Sequence, residues 1–539
     1  MKLNYQGLKD AAAWAKAGIE LPPYDVEALA KATVADPRWV HFGIGNIFRI
    51  FVGSIEDKLL REGLMDRGIT CVETFDYDVV DKIYTPYDNL ALAVYLKSDG
   101  TVDKQVLGGL SEAIKAQSSD PAAWARLKAV FENPGLQLVT FTITEKGYAL
   151  RNTEGRYFGY VQADMDNGPE KVTGAMGVVA AMLYARYQAG KLPLAVVSMD
   201  NVARNGEKLR NSIMETAMVW KELGHVDAGF VEYVSDESVV SFPWTMIDKI
   251  TPRPSVDVAN GLEASGVEAM QPVVTSKHTY IAPFVNAEGP QYLVVEDNFP
   301  NGRPPLEKGG VFMADRVTVN RSERMKVTAC LNPIHTALGP YDVMLGHELF
   351  ADGMSDPELS RLADQVGYKE GLPVVEDPGI LSPKAFIDEV IHERFPNKYL
   401  GDTSQRICTD ASQGMAFRFG ETIKAYVAKE GTAGRLTGIP LAIAGWLRYL
   451  LKIDDEGNPY TLAPDPLAPV LAEQLANVKI GDPDSLGDEL KPILANANIW
   501  GVNLKEVGLA DKIESLFREE IAGPGAVRAT LKKHLDALN

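Results

Sequence analysis

The chain has 539 residues, of which 46% are hydrophobic and 24% charged, and its formal net charge is −19 at pH 7. At this length a single hydrophobic core stops growing, so we expect two domains. The negative charge repels phosphate backbones and anionic lipids, which argues against nucleic acid and membrane partners, although a local basic site can still hold a small anion.

The amino terminus and the cysteines both favour a cytoplasmic protein. The opening segment, MKLNYQGLKDAAAWAKAG, lacks the apolar core of a signal peptide. No run approaches the roughly 18 apolar residues that a membrane-spanning helix needs. Cys71, Cys330 and Cys408 are odd in number and widely spaced, so they indicate neither a disulfide framework nor a cysteine-rich zinc site.

The first half of the chain has the pattern of an α/β domain. From about Arg38 to Asp200, amphipathic stretches such as SIEDKLLREGLM and GAMGVVAAMLYARYQAG lie between short runs rich in β-branched residues. Those runs are RWVHFGIG, GITCVET, LALAVYL, LQLVTFTIT and LAVVSMD. Strands that alternate with helices predict a largely parallel sheet.

The second half has a different texture. Two more strand-like runs, TYIAPFV and QYLVVEDNF, follow Pro252, and from about Glu323 onward apolar residues recur at helical spacing, as in IPLAIAGWLRYLLKI. This predicts a mainly α-helical domain. We place the boundary in the proline-punctuated segment FPWTMIDKITPRP and expect domains at residues 1–250 and 251–539.

Two glycines follow the first predicted strand, in HFGIGNIFR. Gly43 and Gly45 can let the backbone approach a pyrophosphate at the N-terminus of the next helix. The match to a dinucleotide fingerprint is incomplete, because Phe48 stands where a third glycine is usual. An ordinary turn at the end of a strand is the alternative.

An acidic residue at the end of the next predicted strand supports the dinucleotide interpretation. In ITCVETFDYD, Glu73 is placed to accept hydrogen bonds from an adenosine ribose, with Asp76 as the second choice. A carboxylate there repels a 2′-phosphate, so the prediction is NAD rather than NADP. The alternative is that Glu73 is a solvated end of the strand.

The stretch SERMKVTACLNPIH gathers polar side chains suited to the oxidation of an alcohol. That reaction needs a base for the hydroxyl proton and donors for the developing alkoxide. Lys326 can be the base if a dry pocket lowers its pKa from about 10.4. Asn332 and His335 can be the donors, and Glu323, three residues before the lysine, can relay the proton to water.

A reading without chemistry explains the same stretch. Asn332 can be a helix N-cap with Pro333 at the first helical position, while Glu323 and Lys326 form a common surface pair. Pro333 also disfavours helix at the residue before it, and a break between Lys326 and His335 can bring the polar groups to a common point.

Eight ordered motifs cover nearly the whole chain: HFGIGNIFR, TITEKGY, DNVARNG, MIDKITP, EDNFPNGRPPLEK, ERMK, LNPIHTAL and DTSQRICTDAS. With them the sequence resembles the long-chain polyol and sugar-acid dehydrogenases, a family that includes mannitol 2-dehydrogenase, fructuronate reductase and tagaturonate reductase. The resemblance implies an N-terminal Rossmann-type domain, a mainly α-helical C-terminal domain, NAD(P) as cofactor and no metal.

The resemblance also implies residue roles. It makes Lys326 the general base, gives Asn332 and His335 to the alkoxide, and assigns proton exchange to Glu323. By the same matching, three further residues contact the substrate or orient the site, namely Asn201, Asp248 and Arg406.

The sequence departs from the family pattern in two places. Familiar members carry the asparagine five and the histidine eight residues after the lysine, whereas here the offsets are six and nine. A one-residue bulge of the π type can absorb the extra residue. In addition, Gly414 takes a place where members often have a basic residue.

The substrate class rests on thinner grounds. A sugar acid needs a cationic partner for its carboxylate, and Arg406 with Lys398 or Arg418 can supply one. We therefore expect D-fructuronate reduced to D-mannonate, with tagaturonate next and the polyols mannitol or arabinitol as the alternative. A catalytically inactive NAD-binding sensor is a further alternative, and the oligomeric state stays open, a monomer included.

Overall fold

In a computed structural model that describes residues 1–538, the chain forms two compact units. Unit 1 comprises Met1–Leu96 and Thr101–Asn320, and unit 2 comprises Lys97–Gly100 and the chain from Arg321 onward. The boundary expected near residue 250 falls inside unit 1. The reason is strand pairing, because the strand-like runs that follow residue 250 hydrogen-bond to strands that precede it.

Unit 1 holds all of the strands that the structure describes in chain order. They are β1 (Trp39–Phe42), β2 (Ile69–Glu73), β3 (Ala91–Leu96), β4 (Val102–Leu107), β5 (Leu110–Lys115), β6 (Leu138–Phe141), β7 (Leu194–Ser198), β8 (Val240–Ser241), β9 (Thr245–Asp248), β10 (Val273–Val274), β11 (Tyr280–Ile281), β12 (Phe284–Ala287), β13 (Tyr292–Glu296) and β14 (Phe312–Ala314).

The main sheet has the order β5-β2-β1-β6-β7-β8, and all of its neighbouring strands are parallel. The strand order reverses beside β1, which is the arrangement of a Rossmann-type fold. The predicted α/β class is therefore confirmed. One run was misplaced: LALAVYL forms β3, but it pairs with β12 and β4 in a separate sheet, and β5 takes its place at the edge of the main sheet.

The helices of unit 1 lie between these strands. They are α1 (Ala11–Lys16), α2 (Val26–Ala35), α3 (Gly53–Arg61), α4 (Pro121–Glu132), α5 (Thr144–Tyr148), α6 (Gly159–Asn167), α7 (Ala175–Gln188), α8 (Asn205–Glu222), α9 (Ala228–Ser235) and α10 (Val256–Ala264). Helix α11 (Arg316–Met325) continues from unit 1 into unit 2. Short 3₁₀ turns occupy Gly7–Lys9, Thr85–Tyr87 and Leu306–Gly309, and π-helical turns occupy Phe48–Val52 and Val80–Tyr84.

The main sheet separates two hydrophobic cores, because its side chains alternate between its faces. Val40 and Phe42 of β1 belong to the core that contains residues of α4, α7 and α8. Trp39 belongs to the opposite core, with residues of α3. Every residue of β1 is buried, which explains why the strands of this sheet read as continuous apolar runs rather than alternating ones.

Unit 2 is mainly helical, as predicted. Its helices are α12 (Asn332–Met344), α13 (Phe350–Gly353), α14 (Pro357–Asp364), α15 (Pro383–Glu389), α16 (Ser404–Ile407), α17 (Ala411–Met415), α18 (Glu421–Glu430), α19 (Gly438–Tyr449), α20 (Ala468–Gln474), α21 (Leu490–Leu494), α22 (Ala497–Trp500), α23 (Ala510–Glu520) and α24 (Ala526–Asp536). It also has π-helical turns at Lys326–Cys330, Gln365–Gly371, Val390–Arg394 and Ala416–Gly420, and 3₁₀ turns at Leu372–Val374, Lys398–Leu400 and Pro483–Ser485.

The centre of unit 2 is the packing of α12 against α19. Every residue of α19 is buried. Gly445 allows the close approach, since a Cβ there would lie 2.3 Å from the Tyr341 ring. In residues 1–538, no helix is long and apolar enough to cross a membrane.

Candidate active site

The predicted cofactor turn of unit 1 follows β1 at the carboxyl edge of the main sheet. Gly43 has a φ of +85°, and a Cβ there would lie 2.2 Å from the Thr142 carbonyl oxygen, so only glycine fits. At Gly45 a Cβ would meet no described atom within 4 Å, so packing does not demand a glycine. A side chain at that position would fill the cradle through which a pyrophosphate approaches the backbone.

Packing explains the missing third glycine of the fingerprint. The Phe48 ring stacks on His41, with ring centroids 3.9 Å apart. Burial holds the pKa of His41 well below its usual value. Its two ring nitrogens lie 2.6 Å from Thr140 Oγ1 and 2.9 Å from Thr142 Oγ1. Phe48 is thus a core residue of the strand–helix junction.

Glu73 stands at the end of β2 and binds backbone rather than solvent. Its Oε1 accepts hydrogen bonds from the amides of Thr74, Phe75 and Asp76, at 3.0, 2.9 and 3.2 Å. Burial raises the pKa of this carboxyl, and backbone hydrogen bonds, including one from Ile44, oppose that shift. Glu73 therefore fastens its own turn to the glycine turn, and it is not a solvated end of the strand.

Asp76 keeps one carboxylate oxygen without a partner. Its Oδ2 accepts a hydrogen bond of 2.6 Å from Thr275 Oγ1. Its Oδ1 is buried and has no hydrogen-bond partner among residues 1–538. A buried acceptor of this kind is costly unless a donor reaches it, and the hydroxyl of a ribose is a donor of the right chemistry.

A hydrogen-bond network positions the two substrate residues predicted in unit 1. Asn201 follows Asp200, whose carboxylate accepts hydrogen bonds of 2.9 Å from the amides of both Ile143 and Thr144. The Asn205 amide then donates to the Asp200 carbonyl at 3.0 Å and to Thr245 Oγ1 at 2.7 Å.

Thr245 begins β9, the strand that ends at Asp248. The network therefore ties the turn that holds Asn201 to the strand that carries Asp248. Sequence reasoning missed Asp200, although a carboxylate directly after a buried strand was a usable signal.

In unit 2 the helix breaks between Lys326 and His335, as the sequence predicted. A π-helical turn covers Lys326–Cys330, and the Leu331 amide donates to the Lys326 carbonyl at 3.1 Å. This is the kind of bulge expected to absorb an extra residue. The φ and ψ of Leu331, −130° and −67°, interrupt the helix, and α12 restarts at Asn332. Leu331 is the N-cap, and no side chain caps the helix, so Asn332 does not have the capping role of the alternative reading.

The polar groups of this stretch differ in burial. Lys326 is 1% exposed, whereas Glu323, Asn332 and His335 are half-buried. A buried lysine at the bulge agrees with the dry surroundings that the base requires.

Two aromatic rings, which sequence reasoning missed, orient His335. Phe395 stacks on the imidazole with ring centroids 4.7 Å apart, and Phe350 meets it edge-on at 4.6 Å. Both phenylalanines are 3% exposed. A ring held in this way loses little rotational freedom when it donates a hydrogen bond.

The candidate partners for a substrate carboxylate lie in different surroundings. Arg406 forms a two-nitrogen ion pair with Asp402, although the Arg406 side chain is 60% exposed. Lys398 is exposed, with its ammonium 5.5 Å from the centre of the Tyr399 ring. Arg418 is half-buried, and its Nη1 donates to Thr336 Oγ1 at 2.8 Å.

Comparison with known proteins gives matches along most of the chain. Residues 37–308 match the mannitol dehydrogenase Rossmann domain, and residues 318–518 match the mannitol dehydrogenase C-terminal domain. The chain is 52% identical over 536 residues to the D-mannonate oxidoreductase of Thermotoga maritima, a match that covers 99% of each protein.

Two solved structures are similar over nearly the full length. A substrate-free D-sorbitol dehydrogenase matches with a TM-score of 0.78 and 26% identity, covering 96% of this chain and 98% of its own. The Pseudomonas fluorescens mannitol 2-dehydrogenase, a ternary complex with NAD and D-mannitol, matches with a TM-score of 0.71 and 25% identity, covering 99% and 100%.

Proposed function

Since the chain belongs to the mannitol dehydrogenase family, we propose that it is an NAD-dependent dehydrogenase that interconverts D-fructuronate and D-mannonate. The observation that carries the proposal is the 52% identity, over 99% of both chains, to a D-mannonate oxidoreductase. The buried lysine and the oriented histidine at the broken helix support the chemistry.

The base and the alkoxide donors come from the stretch around the helix break. In the direction of oxidation, Lys326 Nζ takes the proton of the substrate hydroxyl as the carbon–hydrogen bond breaks. Asn332 and His335 donate hydrogen bonds to the same oxygen while negative charge develops on it. Glu323 passes the proton from Lys326 to water. In the direction of reduction, Lys326 returns a proton to the alkoxide, so one proton balances each turnover.

The residues of unit 1 fit a nicotinamide dinucleotide. When bound, NAD supplies the acceptor for the hydride that leaves the alcohol carbon. Gly43 and Gly45 would hold its pyrophosphate, and Glu73 or Asp76 would bind its adenosine ribose. The unpartnered Oδ1 of Asp76 supports that assignment, and the ternary complex of a related mannitol 2-dehydrogenase with NAD supports the choice of cofactor.

Three further residues are proposed to serve the substrate, namely Asn201, Asp248 and Arg406. The network through Asn205 and Thr245 supports a defined position for the first two. For Arg406 the proposal requires the guanidinium to leave or share its ion pair with Asp402.

Initial rates with a substrate panel test the proposed function. The panel contains D-fructuronate, D-tagaturonate, D-fructose and simple keto acids, each with NADH, and product identification follows the best substrate. We expect fructuronate to be turned over far faster than fructose, with D-mannonate as product. Tagaturonate as the best substrate would change the sugar acid, fructose as the best would move the enzyme to the polyol dehydrogenases, and no turnover at all would favour a sensor.

A further inference from the structure

The Arg418 side chain folds back over Gly414, one helical turn earlier. A Cβ added at Gly414 would lie 2.3 Å from Arg418 Nε and 2.5 Å from its Cζ. These distances are shorter than any side chain tolerates, so the absence of a side chain at residue 414 gives the guanidinium its place. The φ of Gly414 is not positive, and its conformation is therefore open to other residues.

A hydrogen bond fixes the guanidinium against α12. Arg418 Nη1 donates to Thr336 Oγ1 at 2.8 Å, and Thr336 is 3% exposed. Thr336 follows Asn332 by four residues, so the two side chains lie on the same face of α12 with Cβ atoms roughly 5–6 Å apart. The positive charge of Arg418 is therefore held about one helical turn from the proposed alkoxide donor.

Arg418 has no carboxylate partner. Within residues 1–538 its guanidinium forms no ion pair, and Thr336 is its one hydrogen-bond partner. The edge formed by Nε and Nη2 is left for another acceptor, and that edge is the one that binds carboxylates with two parallel hydrogen bonds. Arg406, by contrast, already uses its Nε and Nη2 on Asp402.

The half-buried position makes an anion the expected ligand. Burial lowers the pKa of Arg418, and the more distant Asp410 opposes that shift. A guanidinium that loses solvent without gaining an ion partner is unfavourable, and an anionic ligand removes that cost.

We propose that Arg418 binds the carboxylate of the substrate and is the residue by which this enzyme selects a sugar acid over a neutral keto-sugar or polyol. The inference rests on the proposed function. In D-fructuronate three carbons separate the ketone carbon from the carboxylate carbon, a span comparable to the spacing between Asn332 and Thr336. One end of the substrate can thus reach the alkoxide donor while the other reaches Arg418.

Three variants test this assignment: Arg418→Ala, Arg418→Lys and Gly414→Ala. The first removes the guanidinium, the second keeps a charge but loses the paired donors, and the third displaces the guanidinium without removing it. Arg435→Ala is the matched control, because Arg435 is 59% exposed and pairs with Glu430. For each protein, kcat/KM is measured for D-fructuronate and for D-fructose, its neutral counterpart, together with NADH affinity and Tm.

We expect Arg418→Ala to lower kcat/KM for fructuronate by about 100-fold, the loss of a charge-assisted contact, while kcat/KM for fructose changes little. Arg418→Lys and Gly414→Ala should fall between wild type and Arg418→Ala, and Arg435→Ala should match wild type. If Arg418→Ala does not fold, Gly414→Ala decides, since alanine suits a helix better than glycine.

The inference is overturned if the folded variants keep the wild-type preference for fructuronate over fructose. A wild-type enzyme that does not reduce fructuronate is a different failure, because it removes the proposed function before any variant is compared.

Discussion

His335 shows how one side chain is prepared for one task. Its imidazole lies against Phe350 and Phe395, whose rings are themselves packed at right angles with centroids 5.0 Å apart. Asn332 is the first residue of the same helix, on the other side of the break at Leu331. The two donors are therefore set by helix geometry and aromatic packing rather than by each other.

The first prediction concerns these two donors. His335→Ala and Asn332→Ala should each lose about 2–4 kcal/mol of transition-state stabilisation, measured as the ratio of kcat/KM to wild type. The double variant should lose less than the sum, since both side chains serve one oxygen. Losses that add fully would show that the residues act on different atoms.

Stability measurements on the same variants separate catalysis from helix capping. A capping asparagine replaced by alanine costs about 1 kcal/mol of unfolding free energy. Since Leu331 is the N-cap, Asn332→Ala should leave Tm nearly unchanged while the rate falls. A large drop in Tm with an intact rate would contradict the assignment.

At the scale of elements, helices α12 and α23 share a buried carboxyl. Glu520 of α23 is 0% exposed, and its Oε1 accepts a hydrogen bond of 2.6 Å from the Tyr341 hydroxyl of α12. Its Oε2 has no partner among residues 1–538. Burial raises the pKa of Glu520 to about 8, from an ordinary value of 4.5.

The second prediction follows from that shift. The folded protein holds the Glu520 proton more tightly than the unfolded chain, so the stability it contributes is complete below about pH 4.5 and is lost as pH rises through about 8. Glu520→Gln cannot ionise, so its Tm relative to wild type should rise between pH 5 and pH 9. The exposed Glu506→Gln is the control. A Tm difference that does not vary with pH would contradict the account.

Local patterns in the sequence located most elements but not their long-range partners. The strand LALAVYL was recognised, yet its pairing with β12, far along the chain, placed it outside the main sheet. The same distant pairing moved the division between the units to residue 320. Periodicity reports which face of an element is buried, and it does not report which strand covers an edge.

The candidate site was predictable in part for the same reason. Pro333 indicated a helix break near Asn332, and the structure has it one residue earlier, at Leu331. The sequence also drew attention to Gly414 and offered Arg418 as one of three possible cations. Only the three-dimensional contact shows that the Arg418 guanidinium occupies the space over Gly414, because an i,i+4 pair has no fixed geometry until its rotamers are known.

At the scale of the whole molecule, the account describes a dehydrogenase that needs NADH and no metal. In residues 1–538, no group of three or more histidine, cysteine, aspartate or glutamate side chains could hold a metal ion. Metal independence nevertheless stays a prediction, as does the preference for NAD that Glu73 and Asp76 support.

The third prediction tests both points in one titration. NADH should bind more tightly than NADPH, because a carboxylate beside the ribose repels a 2′-phosphate. Fluorescence titrations with both cofactors, with and without a chelator, measure the two affinities, and activity is assayed in parallel. Tighter binding of NADPH, or activity that disappears with chelator, would contradict the account.

The central claim is that Lys326 is the acid–base group of a fructuronate–mannonate oxidoreductase, and the reduction of D-fructuronate by NADH in wild type and Lys326→Ala tests it most directly. Lys424→Ala is the control, since that lysine is 47% exposed and pairs with Glu421 at 2.8 Å. We predict that wild type and the control form D-mannonate. Lys326→Ala should lose at least about 10²-fold in rate with unchanged NADH affinity, and an added primary amine should restore part of it. A Lys326→Ala enzyme that reduces fructuronate at a near-normal rate would contradict the account.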